Sequence, residues 1–219
     1  MLKKSLIIIL ARKGSRRLKN KNILLFNKKP LVCWTIEQAI RIKNITNNII
    51  VSTDSLDILK YKKKYNDVKF VKRPKYLSTN SSTSFDAIKH ICKKFKYSGN
   101  IILLQPTSPL RRDEDIIEIH KLLNKGYSPI FSVCKSPHSS SLMCYFEPKK
   151  IFKPINNKKR EIYFPNGAIY AADTNWININ DTFYSKDAYI YSMKEEDSID
   201  IDLRHHFVMA EALFKIKNK

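Results

Sequence analysis

The sequence predicts an α/β fold: an open, mostly parallel sheet with helices on both faces. Three observations carry that expectation. Short apolar or β-branched runs alternate with longer stretches of helical periodicity, and a parallel sheet needs such crossovers to join its strands and to bury both of its surfaces. A length of 219 residues fits one domain of ordinary size. The 43% hydrophobic and 28% charged residues are a globular balance.

The first run, 6–10, follows two lysines and imitates a secretory signal, but Ala11-Arg12-Lys13 ends it early and no small-residue cleavage site follows. It reads as a buried first strand. Further strands are expected at 48–52, 68–71, 100–105 and 129–133, with helices over 31–41, 84–94 and 115–123 between them. From 135 to 160 the pattern gives way to a basic, proline-bearing stretch, a candidate dimerisation arm, lid or projecting subdomain. Strands at 167–172 and 188–193 and an amphipathic helix over 204–216 complete the chain. The expected architecture is thus a single Rossmann-like domain spanning 1–219. No apolar run is long enough to span a bilayer, so no membrane partner is expected.

The formal charge of +21 raises a second function class, a basic nucleic-acid-binding protein. Against it, the lysines are spread over the whole chain and no recognised nucleic-acid motif accompanies them. A solvated lysine surface is the favoured reading, and it would still raise encounter rates with anionic small molecules. Cys33, Cys92, Cys134 and Cys144 lie far apart without the close pairs of zinc or redox motifs. Reduced structural thiols suit a cytoplasmic location.

In an open α/β sheet, ligands bind beyond the carboxyl ends of the strands. Directly after the first strand, the segment from Leu10 to Asn22 combines a glycine, small residues and many cations. Backbone N–H groups of a small-residue turn approach phosphate oxygens closely, and Arg and Lys supply charge to the same oxygens. One such contact at about 4 Å contributes roughly 4 kcal/mol of Coulomb energy at an effective dielectric near 20, before desolvation. The segment is neither GxxxxGK[ST] nor GxGxxG. On charge alone, a solvated basic loop remains the commoner explanation.

Five segments taken in order are more specific: Leu10-Ala11-Arg12 with Ser15 and Lys21-Asn22, Val51-Ser52-Thr53-Asp54, Gln105-Pro106-Thr107-Ser108-Pro109-Leu110-Arg111, Pro165-Asn166-Gly167-Ala168-Ile169-Tyr170 and Asp197-Ser198-Ile199-Asp200-Ile201-Asp202. Together they resemble the acylneuraminate cytidylyltransferases, the CMP-sialic acid synthetases, over nearly the whole chain. The resemblance implies transfer of CMP from CTP to the anomeric hydroxyl of a nonulosonic acid, with release of pyrophosphate. It assigns Leu10, Ala11, Arg12, Ser15, Lys21, Asn22, Arg73 and Ser84 to the nucleotide. Gln105, Thr107, Ser108, Asn166 and Gly167 are expected at the sugar acid, and Asp200 and Asp202 as ligands of Mg2+. Arg12 and Lys21 with the two aspartates form the expected catalytic set, and a homodimer is implied.

Local alternatives accompany several of these roles. Residues 82–84 read equally as a helix N-cap, the Gln105 segment as a rigid turn, and Asp202 as a cap of the last helix. Asp200 and Asp202, one residue apart on an extended segment, point to one side while Ile199 and Ile201 point to the other. Carboxylate oxygens at such a place suit Mg2+, which is typically shared with substrate phosphates. His138, His205 and His206 read as structural or surface residues.

Two departures from the family pattern fall where the sugar acid is expected. Phe164 stands where many relatives have Arg, and a lysine found in some sialic-acid enzymes is missing near Leu142. N-acetylneuraminate is the first expectation for the acceptor, with legionaminate, pseudaminate or a related acid open. The eight-carbon acid 3-deoxy-manno-octulosonate is the runner-up, although its synthetases usually carry a shorter Arg-Leu-Pro-Gly-Lys loop than the one running from Arg17 to Asn22.

Overall fold

Residues 2–14, 17–79, 81–144 and 160–217 are described by a computed structural model. Strand β1 (Ser5–Leu10) leads into a two-stranded ribbon, β2 (Leu25–Phe26) and β3 (Lys29–Pro30), and then into α1 (Leu31–Arg41). There follow β4 (Thr46–Thr53), α2 (Leu56–Leu59), β5 (Val68–Lys72), α3 (Ser84–Phe95), β6 (Asn100–Leu104), α4 (Asp113–Asn124) and β7 (Ile130–Lys135). The chain closes with β8 (Tyr163–Asp173), α5 (Thr174–Ile179), β9 (Tyr189–Met193) and α6 (Arg204–Lys217).

The main sheet has seven strands in the order β5-β4-β1-β6-β8-β7-β9. β4, β1 and β6 run parallel, as do β5 with β4 and β9 with β7. Strand β8 runs antiparallel to both of its neighbours, β6 and β7. The sheet is therefore mostly parallel and Rossmann-like, as its alternating sequence pattern requires.

Side chains of β1 alternate between two cores, which is why the strand is apolar throughout. Ile7 and Ile9 face a cluster with Val32, Ile36 and Ala39 of α1 and Ile116 and Ile119 of α4. Leu6 and Ile8 face the opposite cluster, with Phe85, Ile88 and Ile91 of α3 and Ile177 of α5. Each fully buried Leu or Ile contributes about 1.5–3 kcal/mol of apolar burial, so a charge anywhere in β1 would be strongly destabilising.

A third cluster positions the site. Phe26 of the ribbon, Leu31, Leu110, Ile201, and Phe207 and Ala210 of α6 form a buried group against which Leu18 of the first loop and Ile199 also pack. Phe26 makes edge-on ring contacts with Trp34, Phe207 and Phe214, at centroid distances of 5.9, 5.8 and 5.4 Å. The last helix is thereby fixed against the loop that follows the first strand.

The segment 135–160 leaves β7 and re-enters at β8, and its described ends lie together. Ser136 N–H donates to the Ile162 carbonyl at 2.7 Å, and Ser140 N–H to that of Arg160 at 3.1 Å. Residues 145–159, which make up most of the candidate arm, lie outside the described residues.

Candidate active site

The chain runs outward along β1, β4 and β5 and then crosses back to β6 on the other flank of β1, so the strand order reverses between β1 and β6. Such a switch point leaves a crevice at the carboxyl ends of the strands. A cleft of about 580 Å³ occupies it, lined by Leu10, Arg12, Arg17, Leu18, Lys21, Asn22, Arg73, residues 82–84, Gln105, Pro106, Thr107 and Asp202.

Backbone and side-chain bonds hold the first loop in place. Ala11 is fully buried; its N–H donates to the Ser52 carbonyl and its own carbonyl accepts from Thr53 Oγ1. Asn22 Nδ2 donates to the Arg12 carbonyl at 3.0 Å, and Lys13 N–H donates to Asp54 Oδ1 at 2.7 Å. Arg12 thus leaves the loop with its guanidinium in the cleft, where Nη1 also reaches the Thr79 carbonyl at 3.4 Å.

Arg73, at the end of β5, is buried and donates to Ser52 Oγ at 3.2 Å and to the Ser52 carbonyl at 2.9 Å. Burial pushes its guanidinium pKa down, with nearby Asp54 opposing the change and Arg12 adding to it. Two guanidinium groups that repel each other at the mouth of a cleft are stabilised by a shared anion. Thr83 caps α3: its Oγ1 accepts from Asp86 N–H at 3.1 Å while Asp86 Oδ2 accepts from Thr83 N–H at 2.7 Å. Ser84, the first helical residue, lines the cleft, and the positive end of the helix adds to the anion-binding character of that wall.

The acidic pair approaches from the opposite side. Ile201 is fully buried in the third cluster, and its N–H donates to the Thr107 carbonyl at 2.8 Å. Of the residues on either side of it, Asp202 lines the cleft, whereas Asp200 is not part of the cleft wall and its carboxylate lies against Gly167. Asp202 pairs with Lys21 at 2.7 Å and with Arg17 at 2.6 Å, and its N–H donates to His206 Nδ1 at 3.3 Å. Burial pushes the Asp200 carboxyl pKa up; a hydrogen bond with Thr107 opposes this, and Asp202 raises it further. Asp200 Oδ1 is buried without a hydrogen-bond partner among the described residues.

That orphaned oxygen is of the kind a hard divalent cation takes; the oxygens of the neighbouring Asp202 are held by Lys21 and Arg17. No cluster of three or more His, Cys, Asp or Glu suited to a metal occurs among the described residues. A cation held here would complete its shell with water and nucleotide oxygens, as Mg2+ commonly does. The two carboxylates are by chemical type ligands that Mg2+ takes.

Of the residues expected at the nucleotide, Leu10, Arg12, Lys21, Asn22, Arg73 and Ser84 line one cleft. Ala11 lies beneath it, and Ser15 is outside the described residues. Of those expected at the sugar acid, Gln105 and Thr107 line the cleft. Ser108 is fully buried, and Asn166 and Gly167 are not part of the cleft wall. Arg17, Ser82 and Thr83 also line the cleft; the helix N-cap expected within residues 82–84 is provided by Thr83, and Arg17 belongs to the same cationic loop. Arg111 is buried, with Nη1 donating to the Ala168 carbonyl at 2.7 Å and the Gln105 carbonyl at 3.2 Å. Burial brings its pKa down to about 9, against the attraction of Asp115 and Asp113.

A switch-point cleft that gathers cations, a helix N-terminus and the Asp202 carboxylate marks a nucleotide-handling α/β protein. Comparison with known proteins names the family. A family model described as cytidylyltransferase matches residues 6–215, and the chain belongs to that family. It is 34% identical to an N-acylneuraminate cytidylyltransferase of Escherichia coli O18:K1:H7, over 100% of this chain and 54% of the relative. It therefore spans about half the length of that relative. It is also 34% identical to a CMP-N,N'-diacetyllegionaminic acid synthase of Legionella pneumophila, over 98% of this chain and 97% of the relative. Among solved structures, a CMP:2-keto-3-deoxy-manno-octonic acid synthetase complexed with CTP superposes with a TM-score of 0.73 at 17% identity, covering 98% of this chain and 99% of that one. At that identity the likeness shows the fold alone.

Proposed function

We propose that this chain transfers CMP from CTP to the anomeric hydroxyl of a nonulosonic acid and releases pyrophosphate. The observation that carries the reading is the meeting, in one cleft, of Arg12, Lys21 and Arg73 with Asp202 and, beside it, Asp200. The relatives' names supply the nucleotide and the class of acceptor.

The hydroxyl oxygen attacks the α-phosphorus in line with the bridging oxygen. A new O–P bond forms, the bond to the bridging oxygen breaks, pyrophosphate leaves, and the hydroxyl proton passes to water. Arg12, Arg73 and Lys21 offset charge that develops on the phosphates and leaving group, and the cleft holds the two reactants at reacting distance. Asn22 and Asp54 keep the first loop, and with it Arg12, in position. Asp200 and Asp202 would hold Mg2+, which supplies further charge neutralisation at the phosphates. Lys21 and Arg17 exchange their bond to Asp202 for phosphate oxygens when the nucleotide enters.

N-acetylneuraminate is the first acceptor to test. A legionaminate-type acid is the second, supported by the near full-length match to the Legionella relative. The same proposal includes a homodimer in the cytoplasm; among the described residues no helix is long and apolar enough to cross a membrane. Pyrophosphate release is measured with CTP and Mg2+ against a panel of N-acetylneuraminate, legionaminate, pseudaminate and 3-deoxy-manno-octulosonate. Release with a nine-carbon acid is expected. Release with the octulosonate alone would move the activity to the eight-carbon class, and no release with any acid would remove the reading.

A further inference from the structure

Asn166 and Gly167 lie on β8 just beyond the carboxyl end of β6, because β8 runs antiparallel and pairs Ile169 with Leu104. That location invites a substrate role, but their contacts point inward. Asn166 is 3% exposed. Its Oδ1 accepts from Ser132 Oγ at 2.6 Å and from Ala168 N–H at 3.2 Å, and its Nδ2 donates to Ser198 Oγ at 2.9 Å. Ser198 Oγ in turn donates to the Lys194 carbonyl at 2.6 Å. The amide therefore links β8 to the turn that leads into Asp200.

Gly167 completes the contact. Its φ is +74°, a conformation that side chains rarely adopt. A Cβ at this position would lie 3.3 Å from Asp200 Oδ2 and 3.5 Å from Asp200 Cγ. The missing side chain is the space into which the carboxylate fits. On the far side of the same segment, the Thr107 carbonyl holds Ile201 N–H.

We infer that Asn166 and Gly167 are positioning residues for Asp200, not contacts for the sugar acid: Asn166 fixes the approach of the segment through Ser198, and Gly167 makes room for the carboxylate. Outer groups that orient a metal ligand are worth about 10- to 100-fold in metal affinity. The inference rests on the reading of Asp200 as a metal ligand. Ser198 offers a separate handle on it, because a sugar-binding Asn166 would not need that hydroxyl.

Mn2+ binding in the presence of CTP is measured by electron paramagnetic resonance for the wild type, Asp200→Asn, Asn166→Ala, Gly167→Ala and Ser198→Ala, with circular dichroism to confirm folding. The last three variants are expected to weaken Mn2+ binding by about 10- to 100-fold and to leave KM for the sugar acid unchanged. Raised Mg2+ should restore their turnover, and Asn166→Ala with Ser198→Ala should add little to either alone. If Gly167→Ala does not fold, the Asn166 and Ser198 pair decides the matter. Wild-type Mn2+ affinity in Asn166→Ala and Ser198→Ala, or a raised sugar KM in Asn166→Ala alone, would overturn the inference while Asp200→Asn still loses the metal. Undiminished Mn2+ binding in Asp200→Asn would remove the metal reading itself, and the inference with it.

Discussion

At the scale of single residues, the site is held by buried polar groups whose partners are spent on one another. Arg12 is partly exposed and delivers its charge into the cleft. Arg12→Ala should lower kcat/KM for CTP by about 100-fold in steady-state assays while leaving the KM of the sugar acid within error; an unchanged CTP dependence would contradict its phosphate role. Asp113 behaves differently. Burial alone would raise its carboxyl pKa, but hydrogen bonds from Arg41 and Gln38 and the charges of Arg41 and Arg111 together outweigh burial and hold it below the ordinary value. A depressed folded pKa contributes stability that is fully present above the ordinary Asp value of about 3.9 and is lost as pH falls through the lower folded value. Urea denaturation should therefore show a loss of stability below about pH 4 that is shallower in Asp113→Asn; equal slopes would contradict the linkage. The meeting of Arg12, Lys21 and Asp202 at one cleft was legible because residue type and position along the chain agree with the family pattern. The contacts of Asn166 were not, because whether a strand-end amide faces a ligand or an adjoining turn depends on a neighbour that is remote in sequence, here Ser198.

Elements were legible where local preference and tertiary packing agree. The period over 31–41 gives α1 to the residue, since its apolar residues meet the first core at Val32, Ile36 and Ala39 and the third at Leu31 and Trp34. The β2–β3 ribbon escaped notice: each strand has two residues, and its turn places Asn27 and Lys28 at φ of 43° and 65° without the glycine that usually marks such a hairpin. Helix α5 escaped for the opposite reason. Its Thr-Asn-Trp-Ile-Asn-Ile composition is poor in helix formers, and it forms because Asp173 caps Trp176 N–H at 2.9 Å and Ile177 is buried. Strand β8 extends back to Tyr163 through Pro165, beyond the expected 167–172, in antiparallel register with β7. At α3 the cap is Thr83, which leaves Ser84 to the cleft. Thr83→Ala should cost about 1 kcal/mol of stability by urea or thermal denaturation, and a loss near zero would show that the capping box contributes nothing.

For the whole molecule, the sequence order brings distant charges together. The third apolar cluster joins the first loop, the ribbon and the last helix, so that Lys21 and Asp202 meet although 181 positions separate them. A net charge of +21 surrounds that meeting point with positive potential. Because salt screens such a field over about 8 Å at physiological ionic strength, the KM for CTP should rise as sodium chloride is increased. A KM independent of salt would confine the electrostatics to direct contacts. The central claim is that the cations after β1 and the late carboxylates act on one nucleotide polyphosphate through a shared cation. Calorimetric titration of CTP with and without Mg2+ tests it most directly, comparing the wild type with Asp200→Asn. Mg2+ should tighten CTP binding to the wild type, and the variant should lose that gain while keeping its metal-free affinity; an equal gain in both proteins would contradict the account.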